Sequence, residues 1–510
     1  MTSMLGVLEV SLGVLIVVVL VGGLIYWYVQ DITQKKHAIL RNYPLIGHLR
    51  YFFEQLGEYF RQYFFLGDRE EMPFNRATRG WVYRLAKNEG GVVGFGSTYD
   101  IHHPGALLFV NAGFPVLEEN QVPTPPLAIG DGYAAQPFVA RSLINISGMS
   151  YGALSRPAVL ALSKGAAEAG CWMDTGEGGL APAHLEGGAD IIMQIGTAKY
   201  GVRDAQGRLS DERLRELAAY PTVKAFEIKL SQGAKPGKGG VLPGSKVTPE
   251  IAAIRGIPEG VDSISPNRHR DISNVNELLD MIVRVRGVTG KPVGIKTAIG
   301  GRRFLHELCE AILRRGLDTA PDFIAVDGGE GGSGAAPQAL ADHMALSIDE
   351  ALPRVVDTLI EFGLRERIRV IAAGKLITPV DVAWALAVGA DFINSARGFM
   401  FALGCIQAMQ CNRNTCPTGI TTHDPDLQRG LDPMDKSVRV AFYVENLRRE
   451  VGVIAHSCGV TSPRGLRRHH ARIVTELGQS EPLDRYYAKA AMQNPVLTPI
   501  ATRPPASERL

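Results

Sequence analysis

Three of the six cysteines in this 510-residue chain fall in one short stretch, Cys405-x5-Cys411-x4-Cys416-Pro417. Six cysteines over this length are too sparse for a disulfide framework, so the cluster points to metal chemistry in a reducing compartment. Three thiolates leave a tetrahedral zinc one ligand short, and His423 would complete a Cys3His set. A cuboidal iron–sulfur cluster with one iron missing needs only the three. Spacing leaves both open.

Other chemistry lies at the ends of apolar runs. Ala373-Gly374-Lys375 and Ser395-Ala396-Arg397-Gly398 each pair exposed backbone N–H groups with a cation, a combination suited to phosphate. Lys296 ends another run, where an ammonium neutralises charge developing on a flavin edge or a substrate oxyanion. Gly329-x-Gly331-x-x-Gly334 has dinucleotide-loop spacing. The residues after it yield no strand ending in an acidic residue, so it reads as backbone lying against a planar ring. GAKPGKGGVLPGSKV lacks the Gly-Lys-Ser/Thr order of an ATP loop. Lys229, Gln232, Lys235 and Lys246 there form a cationic, amide-bearing loop suited to a dicarboxylate.

Positioning these groups takes a large α/β scaffold. Eight strands are predicted at Leu143–Ile146, Trp172–Asp174, Ile191–Ile195, Ala225–Leu230, Val293–Lys296, Phe323–Val326, Ile368–Ala372 and Phe392–Asn394. Helices are predicted between them at Ala158–Glu168, Val275–Arg286, Phe304–Arg315, Ile348–Phe362 and Pro379–Val388. Eight strand–helix repeats with polar, glycine-rich strand ends favour an α/β (β/α)8 TIM barrel over a doubly wound sheet. Composition agrees with a globular protein, at 45% hydrophobic and 21% charged residues. With 54 Lys+Arg against 52 Asp+Glu there is no basic surplus for nucleic acid.

The amino terminus differs in kind. Ser11–Val29 carries no charge, the apolar stretch begins at Leu5, and Tyr26, Trp27 and Tyr28 close it. Such a run crosses a hydrocarbon core of about 30 Å, with its aromatics at the headgroups. A cleaved signal peptide fits less well, because MTSMLGVLE has no Lys or Arg. Lys35, Lys36, Arg41 and Arg50 follow the span and place the body in the cytoplasm of a single-pass membrane protein. The expected organisation is a transmembrane helix at 5–29, a helical and irregular extension at 30–140, a barrel with its cysteine cluster at 141–425, and a helical segment ending in a loose polar tail at 426–510. Within the extension, the aromatics of HLRYFFEQLGEYFRQYFF recur at helical spacing and are expected to pack as core rather than lie on a membrane.

Several stretches together resemble the FMN-binding synthase domain of the glutamate synthase family: SGMSYGALS (147–155), DTGEGG (174–179), EIKLSQGAKPGKGGVLPGSKV (227–247), DGGEGGSGAAP (327–337) and GCIQAMQCNRNTCPTG (404–419). The resemblance implies a (β/α)8 barrel holding FMN, with Cys405, Cys411 and Cys416 binding a 3Fe–4S cluster. It implies amination of 2-oxoglutarate or a related oxo-acid, reduced FMN delivering hydride to the imine to form glutamate. By position, the flavin would contact Ser147, Gly148, Met149, Ser150, Gln194, Lys296, Gly331, Gly332, Gly334, Gly374, Lys375, Ala396 and Arg397. Glu177 would be the acid/base group, and Lys229, Gln232 and Lys235 would hold the oxo-acid.

The chain departs from that pattern around the substrate. The usual histidine-rich segment reads SPNRHRDIS with His269 retained, and the usual GHDGG reads VDGGEGG. No cysteine precedes Cys171, so no glutamine-hydrolysing domain is expected and nitrogen would come from ammonia, an amine or a separate subunit. With no NAD(P)-binding unit visible, electrons are expected from a ferredoxin or flavoprotein. Two other functions fit the same cofactors: an amine or amino-acid dehydrogenase feeding a membrane acceptor, and a non-catalytic electron carrier.

Overall fold

The computed structural model describes residues 2–493, and the expected polar tail from 494 onward lies outside the described residues. The chain forms two units divided between Gly80 and Trp81.

In the first unit, helix α1 spans Thr2–Thr33, and residues 11–30 of it are all exposed. After a short helical turn at Ala38–Asn42, helix α2 (Gly47–Phe60) continues into one π-helical turn at Arg61–Phe65. The aromatic periodicity is there, but the expected burial is not. Phe52, Phe53, Tyr59, Phe60, Tyr63, Phe64 and Phe65 are all exposed, so the stripe is not a core face.

The second unit is built on a closed parallel barrel. Its strands are β1 (Ile144–Ile146), β2 (Trp172–Asp174), β3 (Asp190–Ile195), β4 (Val223–Lys229), β5 (Val293–Thr297), β6 (Phe323–Asp327), β7 (Arg369–Ala373) and β8 (Phe392–Ser395). Each pairs with the next, and β8 closes on β1 with Ile393 opposite Ile144. The eight predicted strands match these within two residues, because each is a short apolar run bounded by glycine or polar residues. Helices fall between them as predicted, with ends set by local chemistry. The Ser155 hydroxyl accepts from Ala158 N–H to start Arg156–Ala169, and Gly170 ends that helix in the left-handed region. Thr378 and Asp381 form a reciprocal cap on Pro379–Val388.

Side chains alternate in and out along a strand, so a barrel interior fills in layers. The lower layer here is apolar: Trp172, Ile192, Ala225, Phe323, Ile371 and Phe392 pack in one buried cluster. An antiparallel hairpin, Leu127–Ile129 with Phe138–Ala140, adds Ile129, Phe138 and Ala140 to it. The Phe138 and Phe392 rings meet Trp172 edge-on, at 6.0 and 5.0 Å between centroids. Trp172, Phe323 and Phe392 each begin their strand, so the hairpin stoppers the amino-terminal end of the barrel and leaves the carboxyl-terminal end as the mouth.

The chain after the barrel is more than helical. Helix Pro433–Ser457 is followed by strands Ala471–Val474 and Ser480–Pro482, which pair with Leu107–Phe109 into a three-stranded sheet. Segments from both ends of this unit therefore share one sheet, a non-local pairing that periodicity does not register. Truncating the stopper should be costly: Trp172→Ala should lower unfolding free energy by about 3–5 kcal/mol. Chemical denaturation checks this, and a loss below 1 kcal/mol would show that the lower layer is not the stabilising core.

Candidate active site

Further along six of the strands, toward the mouth, buried polar residues appear. They are Asp174 on β2, Gln194 on β3, Glu227 on β4, Lys296 on β5, Asp327 on β6 and Asn394 on β8, all nearly or fully buried. Charges in such a place must satisfy one another. Gln194 Nε2 donates to Glu227 Oε1 at 2.7 Å and reaches Asp174 Oδ2 at 3.5 Å. Gln194 thus bridges the Asp174 and Glu227 carboxyls, and Glu227 Oε2 is buried with no hydrogen-bond partner among the described residues. Burial pushes Asp174 up against the pull of Lys296, while burial and the Asp174 charge push Glu227 well above the ordinary carboxylate range. Lys296 goes the other way. Burial disfavours its charge, but Asp327, Glu227, Asp174 and Glu177 more than offset that and keep it an ammonium. Its Nζ reaches Ser147 Oγ at 3.5 Å, in the loop that continues through Gly148, Met149 and Ser150.

Glu177 stands above this layer in a small cavity that Lys229, Gln232 and Lys235 also line. Gly240 lies against the Glu177 carboxylate, where a Cβ would come 2.5 Å from Oε1 and push that carboxylate aside. Lys229 Nζ is 3.3 Å from Glu177 Oε2, and Lys235 Nζ is 3.8 Å from Oε1. Burial would raise the Glu177 carboxyl, but the two ammonium groups outweigh it and hold the pKa at about 2. Lys229 also donates to Gln232 Oε1 at 3.1 Å, and Gln232 Nε2 donates to the Gly332 carbonyl at 3.2 Å. His269 Nε2 donates to the Lys229 carbonyl at 2.9 Å. Burial, with help from Lys199, pushes that histidine down to about 4, so it is neutral at pH 7.

Across the mouth, Lys375 and Arg397 follow β7 and β8. Burial lowers both, Arg397 to about 10, and the Arg397 charge further depresses Lys375. Two partly desolvated cations, one depressing the other, are what a dianion would relieve. Gly374 takes φ of +142° with its backbone against Gly328 and Ile348, which excludes a side chain. Arg397 also donates to the Glu330 carbonyl at 2.5 Å, tying it to the loop of Gly331, Gly332 and Gly334. On β8, Asn394 Oδ1 is buried without a partner among the described residues. Ala396 lies between that strand and Arg397. A lumen ammonium, an orphaned acceptor and two cations at neighbouring strand ends fit a planar cofactor carrying a phosphate.

Two earlier expectations are corrected here. Lys246 does not belong to the dicarboxylate loop. The turn at Gly244–Lys246 carries it away, and its buried ammonium donates to the Cys411 and Thr421 carbonyls at 2.8 and 2.6 Å. His423 does not face the cysteines as a fourth ligand, because its Nε2 donates to the Gly152 carbonyl at 2.8 Å. Among the described residues, no three His, Cys, Asp or Glu side chains are gathered to hold a metal ion. Cys411 and Cys416 are nonetheless within electrostatic reach of each other and of Lys246. Burial opposes ionisation of Cys416, but Thr418 and Thr421 overcome it and lower that thiol. The Thr421 side chain lies beside both thiols. These features suit a sulfur-rich group, and Cys405 stands on the same loop. Gly334 packs against Cys411, so the glycine loop of the barrel mouth touches the cysteine loop.

A family model described as the conserved region in glutamate synthase matches residues 117–461. The chain belongs to the glutamate synthase family. It is 42% identical to a glutamate synthase large subunit-like protein, YerD, of Bacillus subtilis, over 87% of this chain and 91% of that one. It is 38% identical to the archaeal glutamate synthase (NADPH) of Methanocaldococcus jannaschii over 65% of this chain, and spans only 61% of that relative. Among solved structures, mandelate oxidase with (S)-4-hydroxymandelic acid is similar at a TM-score of 0.47 and 18% identity, covering 78% of this chain and 98% of that one.

Asp174, Glu227 and Asn394 are not singled out by motif reading. Their signal was available: a charged or amide residue at an inward position of a strand that is otherwise buried. If Asp174 and Glu227 share a proton, Glu227→Gln should abolish one infrared carbonyl band of a protonated carboxylic acid while leaving the fold intact. An unchanged spectrum would mean that both groups ionise.

Proposed function

We propose that this protein is an FMN- and iron–sulfur-dependent oxidoreductase that reductively aminates 2-oxoglutarate or a related oxo-acid to the amino acid. The observation that carries this reading is the contact of Glu177 with Lys229 and Lys235 in one small cavity beside the polar lumen. FMN, when bound, would supply reversible hydride chemistry. Lys375 and Arg397 would hold its phosphate, and Lys296 and Gln194 would meet its ring, with the loops of Ser147–Ser150 and Gly331–Gly334 along it. Cys405, Cys411 and Cys416 would hold a 3Fe–4S cluster, whose net negative charge the Lys246 ammonium would offset.

The chain's own residues then explain the proton economy. At rest Glu177 is a carboxylate, held so by two lysines. An arriving dicarboxylate engages Lys229 and Lys235 with its own charges. Their hold on Glu177 weakens, its pKa rises, and the carboxyl can carry a proton to the imine that ammonia forms with loss of water. The balance is oxo-acid plus ammonia plus two electrons and two protons, giving amino acid and water. The electrons would arrive from a separate ferredoxin or flavoprotein.

We further propose that α1 anchors the protein in a membrane, with the body on the cytoplasmic side given by Lys35, Lys36, Arg41 and Arg50. In this reading 5–29 is the span, 141–425 the cofactor domain, and 30–140 and 426–510 its extensions.

The test is purification from detergent-solubilised membranes without oxygen, followed by flavin and iron analysis and turnover with 2-oxoglutarate, ammonia and a chemical reductant. One FMN and about three irons per chain are expected, and Glu177→Gln should retain flavin yet lose at least about 100-fold in kcat. Full activity in that variant would defeat the acid/base role. The acid limb of kcat/KM reports the free protein. Set by Glu177 at about 2, it should lie below the accessible range and move upward into it in Lys235→Met. An unmoved limb would mean that Lys235 does not control Glu177.

A further inference from the structure

We infer that α2 and the π turn after it form an aromatic wedge lying in the headgroup layer of the bilayer that α1 enters. The inference rests on the anchor reading of α1 and adds a second, distinct membrane contact.

The first observation is the helix surface. At 3.6 residues per turn, Leu49, Phe52, Phe53, Leu56, Tyr59 and Phe60 share one arc of about 120°. Arg50, Glu54, Gln55 and Glu58 occupy the opposite side. Every residue of the apolar arc except the half-buried Leu56 is exposed, and Phe64 and Phe65 beyond it are 74% and 76% exposed. Soluble surfaces rarely leave so much contiguous aromatic area open, and aromatic rings favour the headgroup boundary. Residues 34–66 also carry five Lys/Arg against two Glu, a balance that suits anionic headgroups.

The second observation fixes where this surface must be. Asp31, in the last turn of α1, is only 4% exposed on a helix whose residues 11–30 are all exposed. Its carboxylate accepts from Leu45 N–H at 2.9 Å and from His48 Nε2 at 2.9 Å. The His48 ring also lies 5.8 Å from the Trp27 ring. This latch pins the first turn of α2 to the end of α1, at the level where Trp27 and its tyrosine neighbours would meet headgroups. A helix starting there with one aromatic side has the bilayer interface as its nearest apolar phase.

Photo-crosslinking tests this on the full chain in nanodiscs of phosphatidylcholine doped with phosphatidylglycerol. Benzoylphenylalanine replaces Val18, Phe53, Phe64 or Glu54 one at a time, and adducts are read by mass spectrometry. Lipid adducts are expected at positions 18, 53 and 64, with at least a five-fold lower yield at 54. Lipid adducts at 18 with none at 53 and 64 would overturn the wedge and leave the anchor standing. Protein adducts in place of lipid at 53 and 64 would also overturn it, assigning the face to a macromolecular partner. No lipid adduct at 18 would remove the anchor and the wedge together.

Discussion

Inside the barrel, charged groups have lost their water and must compensate one another. Asp174, Glu227 and Asp327 face Lys296 in one layer, above an apolar layer that admits no counterion. That constraint explains why burial pushes both carboxyls upward while the acidic groups around the buried lysine keep it charged. It also explains why Gln194, an uncharged donor, stands between the carboxyls. The layer is therefore a preorganised electrostatic floor beneath whatever occupies the mouth. The hairpin stopper below it supports that floor, because it fills the end of the barrel through which water would otherwise enter.

Above the floor, the same logic divides the cations by task. Lys229 and Lys235 bracket the Glu177 carboxylate and hold it ionised. Lys375 and Arg397 are both disfavoured by burial, and the Arg397 charge depresses Lys375 further. Lys246 is committed to backbone carbonyls beside two thiols and is not free to meet a substrate. Three lysines, Lys229, Lys235 and Lys246, come from one stretch of sequence but serve two sites. The turn before Lys246 sends it to the cysteine loop, and the glycine loop packed on Cys411 brings the two sites into contact.

Much of this was legible in the residues themselves. The strands and most helices follow from apolar runs, caps and glycine punctuation, all local signals, and the barrel follows from their count and order. Glu177, Lys229, Gln232 and Lys235 were legible because they lie in long, specific stretches. The aromatic stripe of α2 was legible as a stripe but not as an exposed one. A core face and a lipid face have the same period, and only burial separates them.

What the sequence by itself determined was therefore periodic or local: the eight strands, the apolar span, the strand-end cations and the spacing of three cysteines. Tertiary structure alone decided which charges meet. The Asp174–Glu227 pair joins residues 53 positions apart, the Lys246 contacts cross to a distant loop, and His423 turns to Gly152 rather than to the thiols. The pairing of Leu107–Phe109 with Ala471–Val474 is likewise invisible to any local pattern. The physical reason is common to all of them. Spacing along a chain fixes which face of an element a residue occupies, but the partner across a packed interior depends on closure of the barrel, and the cost of burying a charge then selects the arrangement that neutralises it.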